Sequence, residues 1–90
     1  MTNIDINIKR VQDMEAYLEL LLSLDNVEMI YNDDELIYKT KELINYLESG
    51  LWLEDYQLDE MHLFPENLKR GVLSQDTLYN FLESIDITKL

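Results

Sequence analysis

The chain is punctuated most tightly between Trp52 and Leu82, in the stretch WLEDYQLDEMHLFPENLKRGVLSQDTLYNFL. Pro65, the pair Lys69–Arg70, Gly71 and Ser74 follow one another there in close order. Proline fixes φ and lacks an N–H, so a helix tolerates it at its first position, whereas glycine favours the residue just past a helix end. Serine at an N-cap accepts a hydrogen bond from an otherwise unpaired backbone N–H. The order predicts a short helix starting at Pro65 and stopping before Gly71. A final helix then opens at Ser74, with Leu78, Phe81, Leu82 and Ile85 on its buried side.

Upstream, the apolar residues keep helical time. Val11, Met14, Leu18 and Leu21 recur at steps of three and four, Ile4 and Ile8 extend the stripe backward, and Leu22 widens it. Asp13, Glu15 and Glu19 are expected off the stripe, and Asp25-Asn26 to end the helix. Ile30, Ile37 and Ile44, with Leu36, Leu43 and Leu47 beside them, read as a second helix antiparallel to the first. Asp33, Asp34 and Glu35 interrupt it: either they lie on its exposed face, or Asn32 caps a new helix with Glu35 as its capping-box partner. A break near Asn32 is the favoured reading. Ser49-Gly50 closes this segment. Leu51 to Phe64 shows no sustained period and is expected to be a packed, irregular aromatic connection, since Trp52, Tyr56, Leu58, Leu63 and Phe64 are costly to leave in water. The expected architecture is one all-α domain over residues 1–90, a small bundle of three to five helices with an irregular aromatic loop before the C-terminal ones.

Trp52, Asp55, Tyr56, Asp59, Glu60, Pro65, Leu68, Lys69, Arg70, Gly71, Val72, Leu73, Ser74, Asp76, Tyr79 and Leu82 together form the pattern W-x-x-D-Y, D-E, P-x-x-L-K-R-G-V-L-S-x-D and an aromatic-leucine helix. This closely resembles the C-terminal signature of the bacterial domain-of-unknown-function family 4298. The resemblance covers roughly the last half of the chain, from about Tyr46. It implies a fold rather than an activity, because the family has none assigned.

Ninety residues suffice for one domain near the small end of what folds alone. Such a chain buries only about 60% of its unfolded surface, so a second copy extending a thin core is a live alternative. There is no cysteine, which favours a reducing compartment for so small a domain. The N-terminal MTNIDINIKR lacks the basic-then-apolar order of a signal peptide, and no apolar run approaches the ~18 residues of a membrane span. A cytoplasmic protein is expected. Nineteen acids against seven bases give a formal charge of −12, which repels nucleic acid and anionic membrane and attracts basic protein surfaces.

Little here suits catalysis. With no cysteine and one histidine, His62, flanked by Met61 and Leu63, nucleophile–base sets are nearly excluded. His62 falls where the resembling family tends to have a small residue, so the resemblance gives it no role. The acids at Glu54, Asp55, Asp59 and Glu60, and at Asp33, Asp34 and Glu35, match no calcium-loop spacing, and zinc prefers Cys or several His. No catalytic residue, metal site or cofactor is expected. Arg70 or Lys69 is expected to tie the Trp52 loop to the short helix through Asp55, Asp59 or Glu60, since the arginine fork suits carboxylate, in preference to an anion or phosphate contact. Trp52, Tyr56 and Tyr79 are read as core, and Tyr17, Tyr31 and Tyr38 as interface candidates.

The expected role is therefore a binding module that acts by stoichiometric association. Its sharpest form is an acidic inhibitor mimicking nucleic acid in the basic groove of a nuclease or DNA-binding protein, of the phage anti-restriction or anti-CRISPR type. The partner-facing candidates are Asp13, Glu15, Glu19, Glu28, Asp33, Asp34, Glu35, Tyr31 and Tyr38, with Asp25, Glu42 and Glu48 completing the acidic faces. The alternative is a self-associating structural domain in which the stripe of the first helix closes a homodimeric core.

Overall fold

The first helix, α1 (Ile4–Leu22), buries Val11, Met14, Leu18 and Leu21 as their spacing requires. It does not bury Leu22, which stays half exposed. The computed structural model describes residues 4–90; the first three, where the stretch read against a leader sequence begins, lie outside it. A 3-10 segment, Val27–Asn32, leads into α2 (Asp34–Glu48), followed by α3 (Leu51–Glu60), a 3-10 turn Gly71–Leu73, α4 (Gln75–Glu83) and a last 3-10 turn Ile87–Lys89. No strand occurs among the described residues, and the chain is a small all-α bundle. Helix α2 packs on α1 and α3, while the Gly71–Leu73 turn sits between α1, α3 and α4. Val11, Ile30, Leu43, Val72 and Leu78, all fully buried, are the centre of the core. No helix is long and apolar enough to cross a membrane.

The break near Asn32 is present, but the cap is one residue later. Asp33 accepts from the backbone N–H groups of Glu35 (2.9 Å) and Leu36 (3.2 Å) through one carboxylate oxygen. Its extended backbone points the side chain at those donors, and its charge suits a helix N-terminus. Glu35 reaches forward to Lys39 at 2.9 Å instead of back into a capping box. At the other end Gly50 takes φ +89°, the left-handed conformation that closes α2 and immediately starts α3.

Two expectations fail between Leu51 and Gly71. Residues 51–60 are helical, not irregular; the irregular part is confined to 61–70. The helical period was hidden because the inward face of α3 carries Trp52 and, one turn on, a carboxylate, Asp55. No helix starts at Pro65. Its carbonyl accepts the Leu68 N–H at 3.1 Å and the Arg70 guanidinium at 2.9 Å, which closes a turn in place of a helical ladder. Gly71 accordingly opens a 3-10 turn and ends nothing. Ser74 occupies the N-cap of α4 as expected, yet its hydroxyl accepts from the Thr77 hydroxyl (3.1 Å) and from no backbone N–H. Leu78, Phe81 and Ile85 are buried and Leu82 partly so.

Candidate functional site

The centre of the polar architecture is Asp55, which is fully buried. Four donors converge on its two oxygens: Asn7 Nδ2 at 2.8 Å, Arg10 Nη2 at 2.6 Å, Arg10 Nε at 2.9 Å and the Tyr46 hydroxyl at 2.6 Å. α1, α2 and α3 are thereby tied at one point. A buried carboxylate is tolerable only when paired and hydrogen-bonded, and this one is both. The hydrogen bond to Asp55 raises the Arg10 pKa, while burial, reinforced by the same carboxylate, pushes the Tyr46 phenol well above its ordinary range. Glu54, at the surface, holds the outer side of Arg10 at 2.7 Å. Asp55 thus joins its neighbours through Arg10 and not through Lys69 or Arg70.

A second buried acid was expected on an outer face. Glu15 is 8% exposed and accepts the Val72 N–H at 2.7 Å. Helical arithmetic accounts for this: Glu15 lies four residues after Val11 and three before Leu18, so it flanks the stripe. Its carboxylate lies so close to Gly71 that a Cβ there would meet Glu15 Oε1 at 2.8 Å. Gly71 is therefore needed for close approach. Asn7 and Arg10 were missed as site residues, although Asn7 lies four residues before Val11. A polar residue at a stripe position is the signal that could have found this cluster.

Arg70 pairs with Asp59 at 3.0 Å, the expected tie between α3 and the Pro65 segment. Its Nε lacks the alignment of a hydrogen bond, so the contact is an ion pair reinforced by the bond from Nη2 to the Pro65 carbonyl. Lys69 reaches Glu19 on α1 at 3.5 Å. Trp52 is buried and donates from Nε1 to the Val72 carbonyl at 2.9 Å, with Tyr56 stacked on it at 5.0 Å between centroids. Tyr79, expected in the core, is 41% exposed. Only Leu78 and Phe81 of that helix are buried, and Tyr79 lies one residue round from Leu78.

Most of the expected partner-facing acids are engaged within the chain. Asp13 pairs with Lys9, Glu19 with Lys69, Glu28 with Lys89 and Glu35 with Lys39, while Asp33 caps α2. Among the described residues Asp25, Asp34, Glu42, Glu48, Glu60, Glu66, Asp76 and Glu83 lie outside any ion pair; three of them are on α2 and four follow it in the chain. The acids outside ion pairs are thus spread over α2, the end of α3, the loop after it and α4, with Asp25 just past α1. Tyr38 is half exposed, set edge-on to Tyr17 at 6.4 Å, and its phenol is raised chiefly by the charge of Glu42. Tyr31 is partly buried and accepts the Asp86 N–H at 2.8 Å. His62 is exposed at φ +58°, a left-handed conformation that glycine adopts most readily. No group of three or more His, Cys, Asp or Glu among the described residues is placed to hold a metal ion.

No curated protein and no solved structure matches the chain. The family model described as "Domain of unknown function (DUF4298)" matches residues 11–88. That span reaches back through α1, well beyond the half that carries the Trp52–Leu82 signature, and includes Glu15 and Asp55 with their partners Val72 and Tyr46. The chain belongs to the domain-of-unknown-function family 4298.

Proposed function

We propose that the protein is a non-enzymatic association module that binds a basic protein surface in the cytoplasm, in its sharper form by occupying a groove that otherwise takes nucleic acid. The carrying observation is the distribution of charge. Six of the seven bases, Lys9, Arg10, Lys39, Lys69, Arg70 and Lys89, lie within ion-pair distance of acids, whereas Asp25, Asp34, Glu42, Glu48, Glu60, Glu66, Asp76 and Glu83 lie in no ion pair among the described residues. The outward field is therefore negative with few cationic interruptions, and fields of this kind speed encounter with basic partners. The body measures 42 × 23 × 21 Å, about as thick as a nucleic-acid duplex. A duplex carries one charge per ~1.7 Å of axis, so the net −12 over 42 Å is about half its charge density.

For the self-associating alternative no comparable observation exists. The α1 stripe meant to close a dimer core is covered by the rest of the chain, leaving Ile6, Leu20 and Leu22 exposed on that helix.

The test is capture from lysate on the immobilised protein, eluted with a salt ramp. Nucleic-acid-binding proteins should be retained and should elute as the Debye length falls from about 10 Å at 0.1 M to about 3 Å at 1 M salt. Asp25, Glu66 and Glu83, all exposed, are suitable for reversal to lysine, which changes the formal charge from −12 to −6. Retention indifferent to both salt and this reversal sinks the proposal. A light-scattering mass of two chains that persists through the reversal would favour self-association.

A further inference from the structure

Between the end of α2, α3 and α4 lies a groove of about 400 Å³ lined chiefly by Leu47, Glu48, Trp52, Leu53, Tyr56 and Tyr79. Leu53 and Tyr79 are 50% and 41% exposed, while Trp52 below them is held by its bond to the Val72 carbonyl. None of the lining residues is basic. Elsewhere the chain shows what it does with tyrosine rings near acids. Lys39 lies over the Tyr17 ring at 5.7 Å while pairing with Glu35, and Lys89 lies over the Tyr31 ring at 5.2 Å near Glu28. Tyr56 and Tyr79 line this groove together with Glu48, and no cation lies over either ring among the described residues.

We propose that this groove is the anchor site for an arginine on a basic segment of a partner protein. The inference rests on the association reading above and places its centre. An aliphatic stem suits Leu47 and Leu53, and a planar guanidinium both stacks on tyrosine and forks a carboxylate such as Glu48. Steering by the outer acids and anchoring by an aromatic groove are separable contributions to binding, the first acting on encounter and the second on dissociation.

The test is a titration of the ¹⁵N-labelled protein, followed by NMR, with the peptide acetyl-Gly-Arg-Leu-Arg-Gly-amide and with its counterpart carrying Glu for Arg. The arginine peptide should give saturable shifts at the Trp52 indole N–H and at the Leu53 and Tyr79 amides, and the glutamate peptide none. Tyr79→Ala should weaken binding about three- to fivefold, the scale of one cation–π contact at an exposed site. Leu53→Gln is a second exposed variant should Tyr79→Ala melt early. Saturable shifts confined to other acidic faces and unmoved by both variants would overturn the groove assignment while leaving association with basic surfaces standing. No preference for the arginine peptide would overturn both.

Discussion

Replacing Asp55 by alanine should be among the most damaging single changes in this chain. The substitution strands the Tyr46 hydroxyl, whose residue is 2% exposed, with no acceptor. Asn7 and Arg10 fare better, because each also reaches Glu54 Oε2, at 3.1 Å and 2.7 Å. Breaking a buried ion pair costs about 3–5 kcal/mol, and a stranded buried donor about 1–3 kcal/mol. The surviving contacts to Glu54 put the total at the low end, about 3 kcal/mol. A domain of this length has about 5–13 kcal/mol in all, and each kcal/mol moves Tm by about 4–8 °C. Thermal melts at pH 7, followed by far-ultraviolet circular dichroism, should therefore show a fall of about 12–24 °C. Asp55→Asn keeps the shape but removes the charge and places an amide donor among donors, so it should lose at least half as much. An Asp55→Ala protein melting within about 5 °C of wild type would refute the view that this carboxylate holds three helices together.

Gly71→Ala should destabilise by about 1–3 kcal/mol, because the new Cβ displaces a carboxylate that satisfies a buried N–H. In a Glu15→Ala background that penalty should shrink, and equal penalties in the two backgrounds of a double-mutant cycle would exclude the coupling. Arg70→Ala loses a partly exposed ion pair and a bond to the Pro65 carbonyl. Discounted for solvent screening, this is about 1 kcal/mol and a few degrees in Tm, with partner binding intact. The pH dependence follows from Tyr46. Its folded pKa is raised above the ordinary 10.0 by burial, so this contribution is fully present below pH 10 and lost as the pH rises above it. Tyr46→Phe should lower stability at pH 7 yet flatten the decline above pH 10; an unchanged alkaline slope would show that Tyr46 does not titrate on unfolding.

Helices whose inward faces are apolar were legible in the chain alone. Val11, Met14, Leu18 and Leu21 in α1 and Leu78 and Phe81 in α4 announce their spacing because burial of apolar surface is local in cause and periodic in sequence. The punctuation at Asn32–Asp33 and Ser49–Gly50 was legible for the same kind of reason, since capping and left-handed φ depend on the residues themselves. The negative charge was legible too. Tertiary structure decided everything that rests on a polar group turned inward. Asp55 and Glu15 look like surface acids until Arg10, Tyr46, Asn7 and the Val72 N–H are brought to them from 9 to 57 positions away. α3 read as a loop because its buried face includes that carboxylate, and at Pro65 a turn closed by the Leu68 N–H and the Arg70 guanidinium stands where a helix was expected. A charge inside a protein is stable only with partners, and the partners lie on other elements, so no local pattern can reveal whether a given acid faces water or the core.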